Sequence, residues 1–352
     1  MPAVKAYATA SAASALSPFA VERREPGPRD VQIDILYCGV CHSDVHQARN
    51  DWSNSIYPMV PGHEIVGRVV RVGGEVRKLK VGDYAGVGCM VDSCRQCESC
   101  AQGLEQYCVQ GATLTYNDRE RGSERLTFGG YSEQIVVDER FVVAIPGSLD
   151  LKAVAPLLCA GITTYSPLRH WNIGAGHRVG VIGLGGLGHM GIKFAKALGA
   201  HVVMITTSAR KAADATRLGA DEVLLSKDAA AMHRYAGSFD FLLNTIPNGH
   251  DLNPYAALLR RDATMTLVGA LTALEPALAG FSLIGGRRSI AGSAIGGMPE
   301  TQEMMDFCAA HRIVSDVEVV RIQDINTVYE RLLRGDVRYR FVIDMASLRE
   351  RT

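Results

Sequence analysis

Four cysteines, Cys94, Cys97, Cys100 and Cys108, stand in a C-x2-C-x2-C-x7-C run. That spacing closes a thiolate cage around a tetrahedral zinc ion, and an ion with all four positions filled by protein is structural. Two disulfides or four buried thiols are the alternatives. Disulfides need an oxidising compartment, and nothing else in the chain points to one. A second set of metal-type residues is scattered: Cys41-His42-Ser43-Asp44-Val45-His46, then Gly62-His63-Glu64, then Cys159 alone in the apolar run Pro156-Leu157-Leu158-Cys159-Ala160-Gly161. Singly, each has an ordinary reading: Cys159 as a small core residue, His46 as a surface histidine. Spacing alone does not bring Cys159 to Cys41.

Phosphate chemistry is written further on. Gly183-Leu184-Gly185-Gly186-Leu187-Gly188 reads G-x-G-x-x-G after a predicted strand and at the opening of a predicted helix. Glycines there permit a tight turn and close approach to a pyrophosphate, and the helix N-terminus offers free N–H groups to the anion. A Gly-rich packing turn is the alternative. An acid about 20 residues on would bind the ribose 2′-OH of NAD. Instead the next strand runs into Thr206, Thr207 and Ser208, followed by Arg210 and Lys211. Hydroxyls and cations suit the 2′-phosphate of NADP, which an Asp at about 4 Å would repel by a few kcal/mol at ε of about 20. Thr207 or Ser208 could equally cap a helix, and the two readings are compatible. NADP is the expected cofactor.

The elements that must position these residues fall into two regimes. Val31–Tyr37, Ile65–Val72 and Tyr131–Val137 are β-rich segments bounded by turn signals such as Gly73-Gly74 and Gly129-Gly130, so the first part reads as mostly β with loops carrying the chemistry. Six short apolar strands follow, at Arg178–Gly183, His201–Ile205, Val223–Leu225, Phe239–Thr245, Thr264–Val268 and Ser289–Ala294. Helical connections separate them. One is expected to turn Leu187, Gly191, Phe194 and Leu198 to a common face, and another covers Ala209–Leu218. This alternation predicts a doubly wound parallel sheet. Thr301–Ala310 and Asp324–Leu333 read as helices and Tyr339–Asp344 as a strand, a tail that returns to the first domain.

Composition narrows the function classes. A chain of 352 residues has room for two cores. Lys+Arg and Asp+Glu balance at 37 each, so no broad field invites nucleic acid or anionic lipid. Met1–Ala20 lacks the apolar core of a signal peptide, and no apolar run is long enough to span a membrane. Nine cysteines at metal-like spacings fit a reducing cytoplasm.

Together the motifs resemble the zinc-dependent medium-chain alcohol dehydrogenases, closest to the cinnamyl-alcohol-dehydrogenase-like branch with its bacterial NADPH-dependent aldehyde reductases. The likeness is carried by Tyr37 to Asp44 (YCGVCHSD), Pro61-Gly62-His63-Glu64, the four-cysteine run with Gly103-Leu104-Glu105, Ala155 to Leu168 (APLLCAGITTYSPL), Gly183 to Gly191 (GLGGLGHMG) and Tyr339 to Asp344 (YRFVID). It covers essentially the whole chain. The family implies a GroES-like, mostly-β catalytic domain at residues 1–152, a Rossmann NADP-binding domain at 153–296 and a return to the catalytic domain at 297–352, with the active-site cleft between the domains. It implies Cys41, His63 and Cys159 as catalytic zinc ligands, Glu64 as a carboxylate that approaches the metal, and Asp44 as the carboxylate that orients His63. Ser43 is implied as the hydroxyl touching the substrate oxygen, His46 as the histidine passing protons to solvent, and Thr163 as a nicotinamide contact.

The chemistry agrees with these implied roles. Three protein ligands leave a position open for substrate, hydride passes from the nicotinamide to the carbonyl carbon, and the developing alkoxide takes its proton from Ser43. The segment from Gln110 to Thr127 departs from the family, with Leu114 where plant relatives often carry an aromatic and an unusually charged stretch from Asp118 to Arg125. Trp52, Leu114, Tyr116 and Ile295 are the expected pocket walls for a general aldehyde. The leading expectation is therefore a zinc- and NADPH-dependent aldehyde reductase acting on a small molecule, cytoplasmic and homodimeric, with two zinc ions per chain. An NAD-dependent polyol or secondary-alcohol dehydrogenase is the alternative enzyme. A non-catalytic zinc- and nucleotide-binding protein is the alternative of another class.

Overall fold

A computed structural model describes residues 3–269 and 272–349. The chain divides into two compact units: one formed by the residues up to Cys159 together with those from Gly296, the other by Ala160–Ile295.

The first unit is built on a seven-stranded sheet whose central member is the 11-residue strand Asp30–Val40. It pairs antiparallel with Ile65–Val72 on one side and with Arg340–Asp344 on the other, and its first half also pairs with Gln134–Asp138. Val31, Ile33, Ile35, Cys38 and Val40 are buried, with the intervening Gln32, Asp34 and Tyr37 half-buried. That near-alternation is what a strand with one face on the core requires. Tyr84–Val87 extends the sheet beyond Ile65–Val72, and Val317–Arg321 lies parallel to Arg340–Asp344 at the opposite edge. The 14-residue helix Met298–His311 buries Met304, Met305 and Cys308. The helix Ile325–Leu333 buries Ile325, Val328, Tyr329 and Leu332, the i, i+3, i+4, i+7 stripe of an amphipathic helix.

In the second unit six parallel strands lie in the spatial order Glu222–Leu225, His201–Thr206, Arg178–Ile182, Phe239–Asn244, Leu259–Leu267, Ser289–Gly292. In chain order that is 3-2-1-4-5-6, the doubly wound arrangement with a topological switch between the first and fourth strands. The predicted parallel sheet is present. Val179, Val181, Val203, Met204, Leu242 and Leu243 are fully buried, as strands covered on both faces must be. Burying one such side chain stabilises the fold by about 1.5–3 kcal/mol.

Several details differ from the sequence reading; the expected strand Tyr131–Val137, for one, runs Gln134–Asp138. The fifth strand starts at Leu259 rather than Thr264, because the polar run Arg260-Arg261-Asp262 is part of it. The helix after the glycine turn, Gly188–Ala197, buries Met190, Gly191, Ile192, Phe194 and Ala195, while Leu187 and Leu198 are only half-buried flanks. Its apolar face is wider than a single stripe because it packs on a second helix as well as the sheet: the Phe194 ring meets Tyr165 of the helix Ala160–His170 edge-on at 5.2 Å.

Candidate functional site

The four knuckle cysteines converge: one sulfur from each of Cys94, Cys97, Cys100 and Cys108 lies within 4.8 Å of the others. Cys97 and Cys100 are 3.4 Å apart and Cys94 and Cys100 3.9 Å. A tetrahedron of sulfurs about 2.3 Å from zinc has edges of about 3.8 Å, so the donor set fits that ion. All nine cysteines are free thiols. Backbone N–H groups of Cys94 and Cys97 point at the Cys108 and Cys94 sulfurs, at 3.3 and 3.4 Å. The Cys100 N–H lowers the Cys97 thiol to about 6, while burial pushes Cys100 up to about 11.

A second cluster gathers Cys41, His63, Glu64 and Cys159, again with ligand atoms within 4.8 Å of one another. Cys41 follows the strand Asp30–Val40 and caps the helix His42–Ala48; Gly62-His63-Glu64 is the turn into Ile65–Val72. Gly62 has φ of +103°, and a Cβ there would sit 2.8 Å from the Cys38 sulfur and from the Tyr131 ring, so only glycine fits the turn. A hydrogen bond from the Cys159 thiol holds Cys41 well below the ordinary thiol range, against its burial, and the same bond raises Cys159. Two thiols sharing a proton beside an imidazole is the donor chemistry of a Cys2His zinc site, and the residues fit the ion.

Buried partners orient these donors. Asp44, wholly buried, accepts from His63 Nδ1 at 3.0 Å, from the Gly62 N–H at 3.1 Å and from the Cys41 N–H at 2.8 Å. One carboxylate therefore fixes both ligand-bearing turns and leaves His63 Nε2 to face the cluster. Burial disfavours a charged His63, but Asp44, Cys89 and Cys41 outweigh it and raise the imidazole well above its usual value. Glu64 is fully buried, and its Oε1 accepts from Arg340 Nη2. Its other oxygen has no protein partner, as a carboxylate available to a metal would. Burial raises Glu64 above the usual carboxylate range, while Arg340 pulls it back toward the charged form.

Ser43 lies on the first turn of the helix, its Oγ 3.7 Å from the Cys41 sulfur. His46, one turn on, is part-exposed; its Nδ1 is 2.8 Å from Asp51 Oδ2 and its ring lies 5.7 Å from that of Trp52. Tyr116 is buried and stacks on His63 with ring centroids 5.8 Å apart. Leu114 instead leaves 44 % of its surface exposed on the short strand Thr113–Leu114. Three residues went unread in the sequence. Asp51 sits five residues past His46 in a turn. Cys89 shares the proton network of Cys159. Arg340 was signalled only as a charge opening an apolar strand.

In the second unit Gly183 ends the first strand with φ of +93°, and Gly188 opens the helix so close that a Cβ would meet the Gly183 carbonyl at 1.9 Å. Nothing lies within 4 Å of a Cβ built on Gly185, so the turn presents bare backbone with Leu184, Gly186 and Leu187 around it. This is a cradle a dinucleotide pyrophosphate fits. Thr206 closes the second strand, its Oγ1 accepting the Ser208 N–H at 3.3 Å; Ser208 makes no side-chain cap, and Thr207 is exposed. Lys211 Nζ donates to the Leu184 carbonyl at 2.7 Å, which ties it to the glycine turn, and Arg210 is exposed. Thr163 is buried one turn into Ala160–His170, and Ile295, half-buried with φ of +35°, ends the unit.

Residues 27–147 match the family model for the alcohol dehydrogenase GroES-like domain, and residues 186–310 the model for zinc-binding dehydrogenases. Aldehyde reductase YahK of Escherichia coli is 58% identical over 346 residues, covering 98% of this chain and 99% of that protein. NADP-dependent alcohol dehydrogenase C 1 of Mycolicibacterium smegmatis is 52% identical over 350 residues, 99% of this chain and 100% of that one. A cinnamyl alcohol dehydrogenase structure from Sorghum bicolor superposes with a TM-score of 0.95 at 46% identity, covering 100% of both chains. The Helicobacter pylori enzyme complexed with NADP(H) gives 0.91 at 42% identity, covering 98% of each.

Proposed function

Since the chain belongs to the zinc-dependent medium-chain alcohol dehydrogenases, in their cinnamyl-alcohol-dehydrogenase-like branch, we propose that Cys41, His63 and Cys159 hold the catalytic metal of an NADPH-dependent aldehyde reductase. The convergence of these three donors with Glu64 carries the reading. Zinc bound there supplies Lewis acidity to the carbonyl oxygen, and NADPH supplies the hydride. The reaction converts aldehydes to primary alcohols and is reversible.

This chain's own groups do the rest. Ser43 delivers a proton to the substrate oxygen, and His46 replaces it from solvent. Asp51 holds the His46 ring through Nδ1, leaving Nε2 to exchange protons with solvent. Asp44 keeps His63 in the tautomer that ligates through Nε2. Arg340 balances Glu64, so two thiolates and one divalent ion held here would make a neutral centre suited to an uncharged aldehyde. Tyr116 and Trp52, flanking His63 and His46, line the aldehyde pocket with Leu114.

Gly183 to Gly188 receive the pyrophosphate, Thr163 the nicotinamide, and Thr206, Thr207, Ser208, Arg210 and Lys211 the 2′-phosphate. Cys94, Cys97, Cys100 and Cys108 hold a second, structural zinc. Two chains pair through the edge strand Ser289–Gly292, beside which Phe281 and Ile284 leave 80% and 77% of their surface exposed. A cytoplasmic, reducing location is the reading that nine cysteines at metal-like spacings support.

A steady-state screen of NADPH against NADH over aromatic, aliphatic and branched aldehydes, with zinc analysis of the same sample, tests the reading. We expect two zinc ions per chain and a kcat/KM that favours NADPH. Full activity with fewer than two zinc ions, or equal kcat/KM for both cofactors, overturns it.

A further inference from the structure

We propose that Asn117 is a positioning residue that fixes the width of the aldehyde pocket by tying its Trp52 side to its Tyr116 side, and that the pocket so fixed prefers flat aromatic aldehydes; this role rests on the pocket reading given above.

Two segments of the first unit bring an aromatic ring to a histidine of the site. Trp52 comes from the stretch after the helix His42–Ala48, its ring 5.7 Å from that of His46. Tyr116 follows the short strand Thr113–Leu114, its ring 5.8 Å from that of His63. Residues 51–58 form neither helix nor strand, so side chains must hold them. Toward their own helix, Gln47 Nε2 donates to Asn54 Oδ1 and Ser55 Oγ at 2.8 Å each. Asn50 Oδ1 accepts the Ser55 N–H at 2.9 Å, and the Tyr57 hydroxyl donates to the Ala48 carbonyl at 2.8 Å. Toward the Tyr116 segment, both hydrogen bonds that cross among the described residues belong to Asn117. Its Oδ1 accepts the Ile56 N–H at 2.7 Å, and its Nδ2 donates to the Asn54 carbonyl at 3.3 Å.

One primary amide thus satisfies a donor and an acceptor on alternate residues of the opposite wall. Asn117 has φ of +60°, a left-handed conformation that asparagine tolerates better than most side chains. Glycine there would keep the backbone and lose both bonds; aspartate would keep the acceptor and lose the donor. Tyr116 is buried against His63, so its wall is fixed from its own side, and the wall that depends on Asn117 is the one carrying Trp52. Rings on two held walls offer offset or edge contacts to a planar aryl group, whereas a short alkyl chain reaches fewer of them.

The test compares the zinc-loaded parent with Asn117→Gly and Asn117→Asp, using NADPH with benzaldehyde and with butanal. In Asn117→Gly the KM for benzaldehyde should rise about tenfold, the effect of losing one to two neutral hydrogen bonds. Zinc content and kcat should be kept and the KM for butanal should change less, the signature of lost binding rather than lost chemistry. The pH–rate profile should not move, because the contact between Asp51 and His46 does not pass through Asn117. Asn117→Asp should stay near the parent, since the shorter bond survives. A second readout needs no turnover: in a Trp171→Phe background, acrylamide should quench Trp52 more readily in Asn117→Gly than in the parent or in Asn117→Asp. Unchanged quenching in Asn117→Gly overturns the tether whatever the activity. Equal changes in KM for the two aldehydes, or an Asn117→Asp as impaired as Asn117→Gly, overturn the role in selectivity. A parent inactive on both aldehydes overturns the functional reading and the selectivity with it, whereas the quenching comparison decides the tether independently.

Discussion

Replacing Arg340 with Met isolates a buried charge. Arg340 and Glu64 leave 3% and 0% of their surface exposed, so solvent cannot screen either. Arg340→Met strips Glu64 of its counter-ion beside two cysteine sulfurs that are negative when zinc is bound. Breaking a buried pair from one side costs about 3–5 kcal/mol. Glu64→Gln should cost less, because Arg340 keeps the Cys41 sulfur as a partner. The double variant removes both charges with little change in volume, and such exchanges are often near neutral. It should therefore regain at least about 2 kcal/mol over Arg340→Met, a coupling that additive losses cannot produce.

The two tryptophans make the measurement selective. Trp52 lies in the first unit and Trp171 in the second. In a Trp171→Phe background, urea unfolding followed by fluorescence reports the zinc-bearing unit. Chelator competition on the same samples should show catalytic zinc released about 10–100-fold more readily from Arg340→Met, the usual effect of losing an outer partner. If Arg340→Met unfolds within about 1 kcal/mol of the parent, or if the double variant is no better than the single, the pair does not hold the site together and the charge argument fails.

Three further outcomes follow from the geometry. Cys41→Ala or Cys159→Ala should abolish turnover with the fold largely kept, whereas Cys100→Ala should lower the thermal midpoint, since structural metal binding is coupled to folding; zinc analysis beside each assay checks both. Thr206→Asp should weaken NADPH and shift the kcat/KM ratio toward NADH, by like-charge repulsion at the 2′-phosphate. Ser43→Ala should reduce kcat by about 10²–10⁴-fold with zinc retained, while His46→Gln, one step further out and replaceable by water, should be milder and alter the pH–rate profile; near-full activity in Ser43→Ala would contradict the relay.

Much of this was legible because local pattern and global fold agree. Ile65–Val72 was read to both ends, since five of its eight residues are β-branched and the Gly73-Gly74 turn signal follows it. The parallel strands were found from apolar runs too short to be helices. Where charge interrupts such a run, reading failed: Arg260 and Asp262 hid the start of their strand, yet they are tied to Asp240 and Arg287. Arg340 was missed for a related reason. Its partner Glu64 is 276 residues away, and a charge in an apolar strand reads as an edge residue until the fold buries it. Asp51 and Cys89 stand in turns whose periodicity says nothing about direction.

The deeper regularity is that sheet register, more than loop geometry, assembles the metal cluster. Along Asp30–Val40, Cys38 faces Ile65 on one neighbour and Ile343 on the other, and Val40 faces Phe341. Cys41 is the residue after one strand ends, Glu64 the residue before the next begins, and Arg340 the first residue of the third. Two antiparallel pairings among three strands thus bring these residues to one end of the sheet. The approach is close enough that the Gly39 N–H donates to the Glu64 carbonyl at 2.9 Å and a Cβ on Gly39 would lie 1.8 Å from Glu64 Oε2. A slip of one residue in either pairing would turn Val40 and Ile65 out of the core, and it would carry Cys41 or Glu64 away from the other donors at the same time. The apolar pattern that specifies the register therefore specifies the ligand geometry too, which is why a site made of residues scattered from Cys41 to Arg340 can be held rigid without any of its own side chains having to pack the core.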